Sequence, residues 1–507
     1  MVSVSYYNLA GGINQSLTKT ELGYDTKKLF WTDAKNIEIY KNRGIIKQAG
    51  NVEFLDLSDD GAITGLAQMS SDATSKLVIT TETGNIYIYD KSTLKLNKLT
   101  KVLTGKHPQF EKFLNGILIM TESDGLIFIK NNSTFDVIEC NLKDDDGNPV
   151  INGTIAVFGG RVWVASESKI YYSALGTYND FETENDAGYI KDFHTNTDNI
   201  TALKTYKNFL AIYKKQAIYL LSGTNQEDFS IKPFCNIGAS SPNSIVNVQN
   251  RQYFLSSGIF PLEEIGELNQ IQLGSDISTN IKYEFDKFDT TRLKYSFALH
   301  FEKKSQVWYY FPYLANEYYS TIWINDYVNK SWYKRIIPQN LKCACIYDNE
   351  IYFGDNDGII YKENSGNTFA GEVIDFMWKS PFLAVTNPHH KKLIDEFYFI
   401  IDDEQDNKFK FSVYKDYAGE LADDEEEIYS IQPDYLMWYE NSFGENSQCC
   451  WGKDNEAGPL WAINREALEK AEISGSNYSI QLCIEGNDIT ANCAIIGLEF
   501  REIYNDD

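Results

Sequence analysis

The sequence predicts an all-β protein: a β-propeller of about seven blades, with six or eight as the alternatives, and a C-terminal β-sandwich-like domain. Three observations predict it. Aromatic residues make up 14% of the 507-residue chain, a composition that suits strands packed on one face and wet on the other. A hairpin of one grammar recurs at about 40 to 50 residues, the spacing of propeller blades. Past residue 366 the rhythm changes to longer strands that the repeat does not describe.

Ahead of the repeat, residues 1–62 hold the run Asn8-Leu-Ala-Gly-Gly-Ile-Asn-Gln-Ser16 and the segment Ala34 to Ile46, which read as an extended arm and one hairpin. The repeat occupies residues 63–366. Its copies are Leu77 to Tyr89, Gly116 to Phe128, Arg161 to Tyr172, Phe209 to Tyr219, Gln252 to Phe260 and Glu350 to Tyr361. In most of them a Gly or Asp-Gly supplies the positive φ of a tight turn between β-branched or aromatic runs. Short apolar runs such as Ala62 to Ala67, Ile155 to Phe158, Ile200 to Leu203 and Ser244 to Val248 precede most copies and read as the innermost strand of a four-stranded unit. A variant unit runs from Ser296 to Lys334. Such units bury their faces only against one another, so the set must close into a ring.

Residues 367–507 read as a separate acidic β-rich domain with strands at Leu393 to Ile401, Lys408 to Tyr414, Tyr478 to Ile484 and Ala494 to Ile503. Between them lie an irregular acidic stretch and a short helix, Asn464 to Ile473, with Asn464 as its N-cap.

The net charge of −26 argues against tight nucleic-acid binding, which draws on Lys and Arg displacing counterions from phosphates. The charge is uneven. Residues 371–507 carry 10 basic and 29 acidic side chains, whereas residues 1–50 carry 7 basic and 4 acidic ones. Eight cysteines at no framework spacing suggest synthesis in a reducing cytoplasm. The opening Met1-Val-Ser-Val-Ser-Tyr-Tyr-Asn8 lacks the basic and apolar regions of a signal peptide, and no run has the roughly 18 apolar residues of a membrane span.

No catalytic signature emerges, and no cofactor is implied. His107, His194, His300, His389 and His390 do not stand at metal-ligand spacing, and His389-His390 reads as a polar step into a strand. Cys343 and Cys345 read as small core side chains of a blade, with no second pair to complete a metal site. The runs Asp144 to Asn148 and Asp355 to Gly358 resemble calcium loops but lack the later acidic ligand, and Asp-Gly is what a tight turn requires. A glycosidase needs two opposed carboxylates, which a chain with 72 acids neither excludes nor nominates. Tyr309, Tyr310, Tyr313, Tyr318 and Tyr319 suit blade packing, an interface or a sugar-stacking platform.

Several pieces carry a family resemblance. They are Gly11-Gly-Ile-Asn14, Ala34 to Ile37, Gly44 to Gly50, Gly160 to Val164, Ile170 to Leu175, Leu210 to Gly223, Ile237 to Ile245, Tyr253 to Gly258, Lys391-Lys-Leu393 and Ile496 to Glu502. In that order the chain resembles the packaged-DNA stabilisation proteins, or tail hub (nozzle) proteins, of short-tailed bacteriophages; the acidic insertion at about 402–456 has no counterpart. The resemblance implies a structural, non-enzymatic component of the virion tail, forming a ring, in expectation a hexamer, below the portal and its adaptor. It implies contact with other tail proteins or fibres, and passage of genomic DNA without specific binding. An acidic lumen would repel phosphates, and Asp423, Asp424, Glu425, Glu426 and Glu427 are the candidates to line it. Lys19, Lys27, Lys28, Lys35, Lys41, Arg43 and Lys47 are the candidates for the adaptor contact. The rival readings are a host-glycan-binding or glycan-degrading propeller and a cellular peptide-docking scaffold.

Overall fold

The computed structural model describes residues 2–505 except 19–20, 25–26, 70–74, 183–184, 192–197, 266–269, 315–319, 403–405, 418–421, 423 and 431–465. Among the described residues no helix is long and apolar enough to cross a membrane. The chain forms two compact bodies, residues 49–372 and residues 1–48 with 373–507.

The first body is a seven-bladed β-propeller. Six blades are consecutive four-stranded antiparallel sheets, beginning with the inner strands Ile63–Gln68, Gln109–Lys112, Thr154–Phe158, Ile200–Tyr206, Val246–Val248 and Phe297–Phe301. The seventh has Leu341–Tyr347, Glu350–Asp355 and Ile359–Glu363, and its fourth strand is Asn51–Asp56, drawn from ahead of the first blade. The stretch expected to belong to the N-terminal arm thus closes the ring, because Ile359–Glu363 would otherwise leave an open edge. Apolar side chains fill the gaps between blades: Val78, Ile88, Ile119 and Ile129 join the first two, and Trp163, Tyr172, Leu210 and Ile212 join the third and fourth. Each such side chain buried contributes roughly 1.5–3 kcal/mol. Tyr309 and Tyr310 have no exposed surface and belong to this core, so neither is available as a platform; Tyr313 is half-buried, and Tyr318 and Tyr319 lie outside the described residues.

One ion pair fastens the closure. Arg335 of the sixth blade, 1% exposed, pairs with the fully buried Glu363 of the seventh. It also donates to the carbonyls of Ala49 (2.7 Å) and Gly50 (3.3 Å), just ahead of the closing strand. Its guanidinium lies 4.8 Å from the ring centre of Phe369. At Gly50 a Cβ would sit 1.8 Å from the carbonyl oxygen of Thr368, so only glycine fits there.

The second body is a β-sandwich built from both ends of the sequence. One sheet runs Ile37–Tyr40, Gly44–Lys47, Ile495–Asn505, Lys392–Asp402, Glu466–Ala471, with Val2–Tyr6 also pairing with Ile495–Asn505. The other runs Asp33–Lys35, Phe376–Lys379, Ile480–Gly486, Asn407–Lys415, Asp424–Ser430. Ring contacts between Phe397 and Phe411 (5.4 Å) and between Phe399 and Phe409 (5.2 Å) hold the sheets face to face. The propeller is therefore an insertion within the sandwich's chain, and the described residues among 2–47 are parts of that sandwich instead of a detached arm. The expected helix at Asn464 to Ile473 is instead the strand Glu466–Ala471, with Asn464 outside the described residues. Local helix preference of Ala, Leu, Glu and Lys yields to the unpaired edge of Lys392–Asp402, against which Leu468 pairs with Ile400.

The turn at Asp488 ties the two ends together. Lys47, 6% exposed, donates to the carbonyls of Asp488 (2.8 Å) and Ala491 (2.7 Å). The Asp488 carboxyl accepts from the hydroxyl and N–H of Thr490 (both 2.8 Å) and from the N–H of Ala491 (3.1 Å). These bonds hold it down to about 2. Unfolded aspartate titrates near 3.9, so this stabilisation is complete above that value and is lost as pH falls from about 4 to about 2. Asp488→Asn is expected to flatten the loss of sandwich stability across that window, as read by urea unfolding at a series of pH values.

Candidate functional site

A propeller's natural place for a ligand is its axis, and here side chains from distant blades meet across it. The loop into the second blade's inner strand carries His107. Its path is fixed by two acids at the turn Thr121 to Gly125: Asp124 accepts from the N–H groups of Thr104 (2.9 Å) and Gly105 (2.9 Å), and Glu122 from those of Lys106 (2.8 Å) and His107 (3.1 Å). Gly105 is required because a Cβ would stand 2.2 Å from the Thr121 hydroxyl. Burial works against both carboxylates, yet these donors hold them below the usual range.

The His107 ring stacks on Tyr295 at 4.1 Å and 26°. Tyr295 ends the 3-10 turn Leu293–Tyr295 that leads into the sixth blade. In a ring of seven, the second and sixth blades are three apart, the greatest separation possible, so this stack crosses the axial mouth. Lys106 pairs with Glu82 of the first blade (2.7 Å), and Lys204 of the fourth blade reaches Glu111 of the second (3.2 Å). Burial pushes His107 below the ordinary histidine range, and Lys342, Lys294 and Lys106 push the same way against Glu122. Uncovering it with Tyr295→Ala is expected to raise the His107 titration midpoint toward about 6.5, as followed by NMR of the ring protons.

The arrangement is an ion-paired stopper. Its carboxylates are committed to N–H groups or ammonium groups, and among the described residues no three His, Cys, Asp or Glu side chains converge on a metal position.

The sequence-derived candidates lie elsewhere. Asp424, Glu425, Glu426 and Glu427 share the strand Asp424–Ser430, the last of the second sandwich sheet among the described residues; Asp423 lies outside them. They are not a bare acidic rim. Lys415 pairs with Asp424 (2.7 Å), Lys410 with Glu425 (2.9 Å) and Lys408 with Glu427 (3.4 Å), and Glu426 accepts the N–H of Glu472 (3.1 Å). Of the adaptor candidates, Lys19 lies outside the described residues and Lys27 is exposed, whereas Lys28 and Arg43 are half-buried. Lys35 pairs with Asp375 (3.7 Å) and Lys41 with the fully buried Asp402. Lys47 is buried in the sandwich and so is a structural residue, a correction to its place in that set.

The remaining motifs resolve as turns and core. Asp144 accepts from the N–H of Asn148 (2.8 Å) and Asp355 from that of Ile359 (2.8 Å), with Gly147 and Gly358 at positive φ. The N–H of His389 donates to Asn387 (3.0 Å) at the step into Lys392–Asp402. Cys345 is buried, and Cys343 lies 3.4 Å from the carbonyl oxygen of Ile63, at the junction of the seventh and first blades. Sequence reading missed the pairs His107–Tyr295, Lys204–Glu111 and Arg335–Glu363. Each joins blades whose residues carry no mutual spacing signal.

No protein family and no curated protein matches the sequence. Among solved structures the chain is similar to the Pan2 WD40 domain of Neurospora crassa, with 11% identity, TM-score 0.37, and coverage of 64% of this chain and 97% of that one. It is also similar to the computationally designed Ika8 protein (13%, TM-score 0.37, 62% and 99%) and to U3-55K (8%, TM-score 0.39, 62% and 98%).

Proposed function

We propose that this chain is a structural, non-enzymatic component of a short-tailed bacteriophage tail, assembling with copies of itself, six in expectation, as a ring below the portal and adaptor. There it extends the DNA channel and helps retain the packaged genome. The observation that carries the reading is the ordered set of pieces resembling the tail hub family. They fall on coherent parts of the fold: Gly44 to Lys47 and Ile496 to Glu502 come from opposite ends of the sequence yet share one sheet, with Ile45 opposite Ile495. The stoppered axis supports a further point. No duplex passes through a single propeller whose mouth is crossed by a ring stack, so the DNA path must lie among copies. A net charge of −26 per copy keeps such a path from gripping phosphates. The paired lysines make Asp424 to Glu427 poor bare channel acids, so in this proposal the repulsion comes from the acid excess of the sandwich as a whole.

The test is to purify short-tailed virions that encode the chain and locate it with a specific antibody. Tail labelling, with a ring of copies on the adaptor by mass photometry, is the expected result. Absence from virions, or a monomer that binds glycan arrays or releases reducing sugar, would overturn the reading.

A further inference from the structure

The chain passes between the two bodies twice, from Gln48 into Ala49 and from Glu372 into Val373. Each body ties the two passages together with its own hydrogen bonds. In the propeller, the N–H of Gly50 donates to the carbonyl of Gly366 (2.8 Å), the N–H of Ser365 to that of Gly50 (3.0 Å), and the N–H of Ala370 to that of Asn51 (2.9 Å). Arg335 adds its bonds to the carbonyls of Ala49 and Gly50. Here the closing strand Asn51–Asp56 enters the seventh blade, so this tie and the seam of the ring are one place.

In the sandwich the tie is Asn36, 1% exposed. Its carbonyl accepts the N–H of Gln48 (2.9 Å) on the first passage, and its side-chain amide donates to the carbonyl of Asp375 (2.8 Å) on the second. The strand Asp33–Lys35 continues the join by pairing with Phe376–Lys379, with Lys35 opposite Met377. Only Ala49 separates the two ties on the first passage, and only residues 371–374 separate them on the second.

Slack would insulate one tie from the other, and stretches this short have little, since each residue spans at most about 3.6 Å. A folded sandwich delivers Gln48 and Asp375 already joined, so the seam closes at a high effective concentration. Once either tie opens, closing the other becomes a search by a freed segment, and loop entropy opposes it.

We infer that the two ties act as one reciprocal latch. The folded sandwich holds the propeller's seam shut, the shut seam holds the two halves of the sandwich together, and loosening either loosens the other through the two passages alone. Such coupling has the same strength in both directions, so a partner that tightens the sandwich tightens the seam by the same factor. The inference is independent of the tail reading.

Native-state hydrogen exchange of the full chain tests it. Arg335→Ala, in the propeller, is expected to speed exchange about fivefold or more in Asp33–Lys35 and Phe376–Lys379 of the sandwich. Asn36→Gly, in the sandwich, is expected to do the same in Asn51–Asp56 and Ile359–Glu363 of the propeller; glycine keeps the positive φ of 54° at that position. Leu210→Ala removes a core side chain between the third and fourth blades, away from the seam, and is expected to leave the sandwich strands at wild-type rates. If Arg335→Ala does not fold, Arg335→Lys, which keeps the charge but not the guanidinium fork, is expected to give a smaller rise in the same direction. Sandwich rates unchanged by either Arg335 variant, seam rates unchanged by Asn36→Gly, or sandwich rates raised as much by Leu210→Ala as by Arg335→Ala would overturn the proposal.

Discussion

Replacing Arg335 by alanine is expected to destabilise the propeller by about 3–5 kcal/mol, because it leaves the buried Glu363 carboxylate without its counter-charge. The Ala49 and Gly50 carbonyls lose their donor in the same step, at the point where the closing strand enters the seventh blade. Burial already pushes the Glu363 carboxyl up, with Arg335 opposing that rise, so without the arginine the acid protonates more readily. The single variant should therefore regain part of its stability as the pH is lowered. Exchanging both charges, Arg335→Met with Glu363→Leu, is expected to recover much of the loss, since apolar replacements of a buried pair are often close to neutral. Urea unfolding of the full chain, read through Trp308 and Trp332 in the same blade, measures both. A loss under about 1 kcal/mol for Arg335→Ala would mean that this pair does not hold the closure.

Deleting residues 1–20 is the second large effect, and it falls on the sandwich. Read from the sequence, that segment belongs to an extended arm whose basic side chains are candidates for the adaptor contact. In the structure it contains Val2–Tyr6, paired with Ile495–Asn505, and the buried side chains of Tyr6, Leu9 and Ile13. At roughly 1.5–3 kcal/mol for each large side chain, the loss is of the order of a small domain's whole stability. The deleted chain is expected to show the sandwich unfolded, with hydrogen exchange across Lys392–Asp402 and Ile495–Asn505 near the free rate. Protection at wild-type levels there would contradict the structure. Adaptor contacts are better probed by point changes such as Lys27→Glu, at an exposed side chain.

The repeat was legible because each blade carries its own signal. Alternating apolar runs around a tight turn specify a hairpin locally, and six of those hairpins, together with the variant unit, correspond to the seven propeller blades. The seam was legible only as an omission. After Glu350 to Tyr361 no fourth strand follows, while Val52-Glu-Phe-Leu55 stands ahead of the first blade without a hairpin partner. Periodicity reports neighbours along the chain and is silent about partners some 300 residues away. The same limit hid the axial stopper, since nothing in the loops around His107 and Tyr295 marks them as stacking partners. The misread helix has a different cause: Glu466–Ala471 is helical by preference and a strand by context, and its edge-pairing partner lies in Lys392–Asp402. Charge was legible as a total but not as a field, because the lysines that meet Asp424, Glu425 and Glu427 come from the adjacent strand.

The seam also sets an order of events during synthesis. Asn51–Asp56 leaves the ribosome roughly 300 residues before the strand Ile359–Glu363 that it must pair with. At about 5–20 residues per second, that is a wait of about 15–60 s. Val2–Tyr6 waits longer still, until Ile495–Asn505 has been made. Neither body can be completed by an interrupted chain, and the sandwich must hold its first half open while the whole propeller is translated. Such long-range pairing slows folding and exposes strand edges meanwhile. It also means that only a chain translated through its last strand can present a finished sandwich.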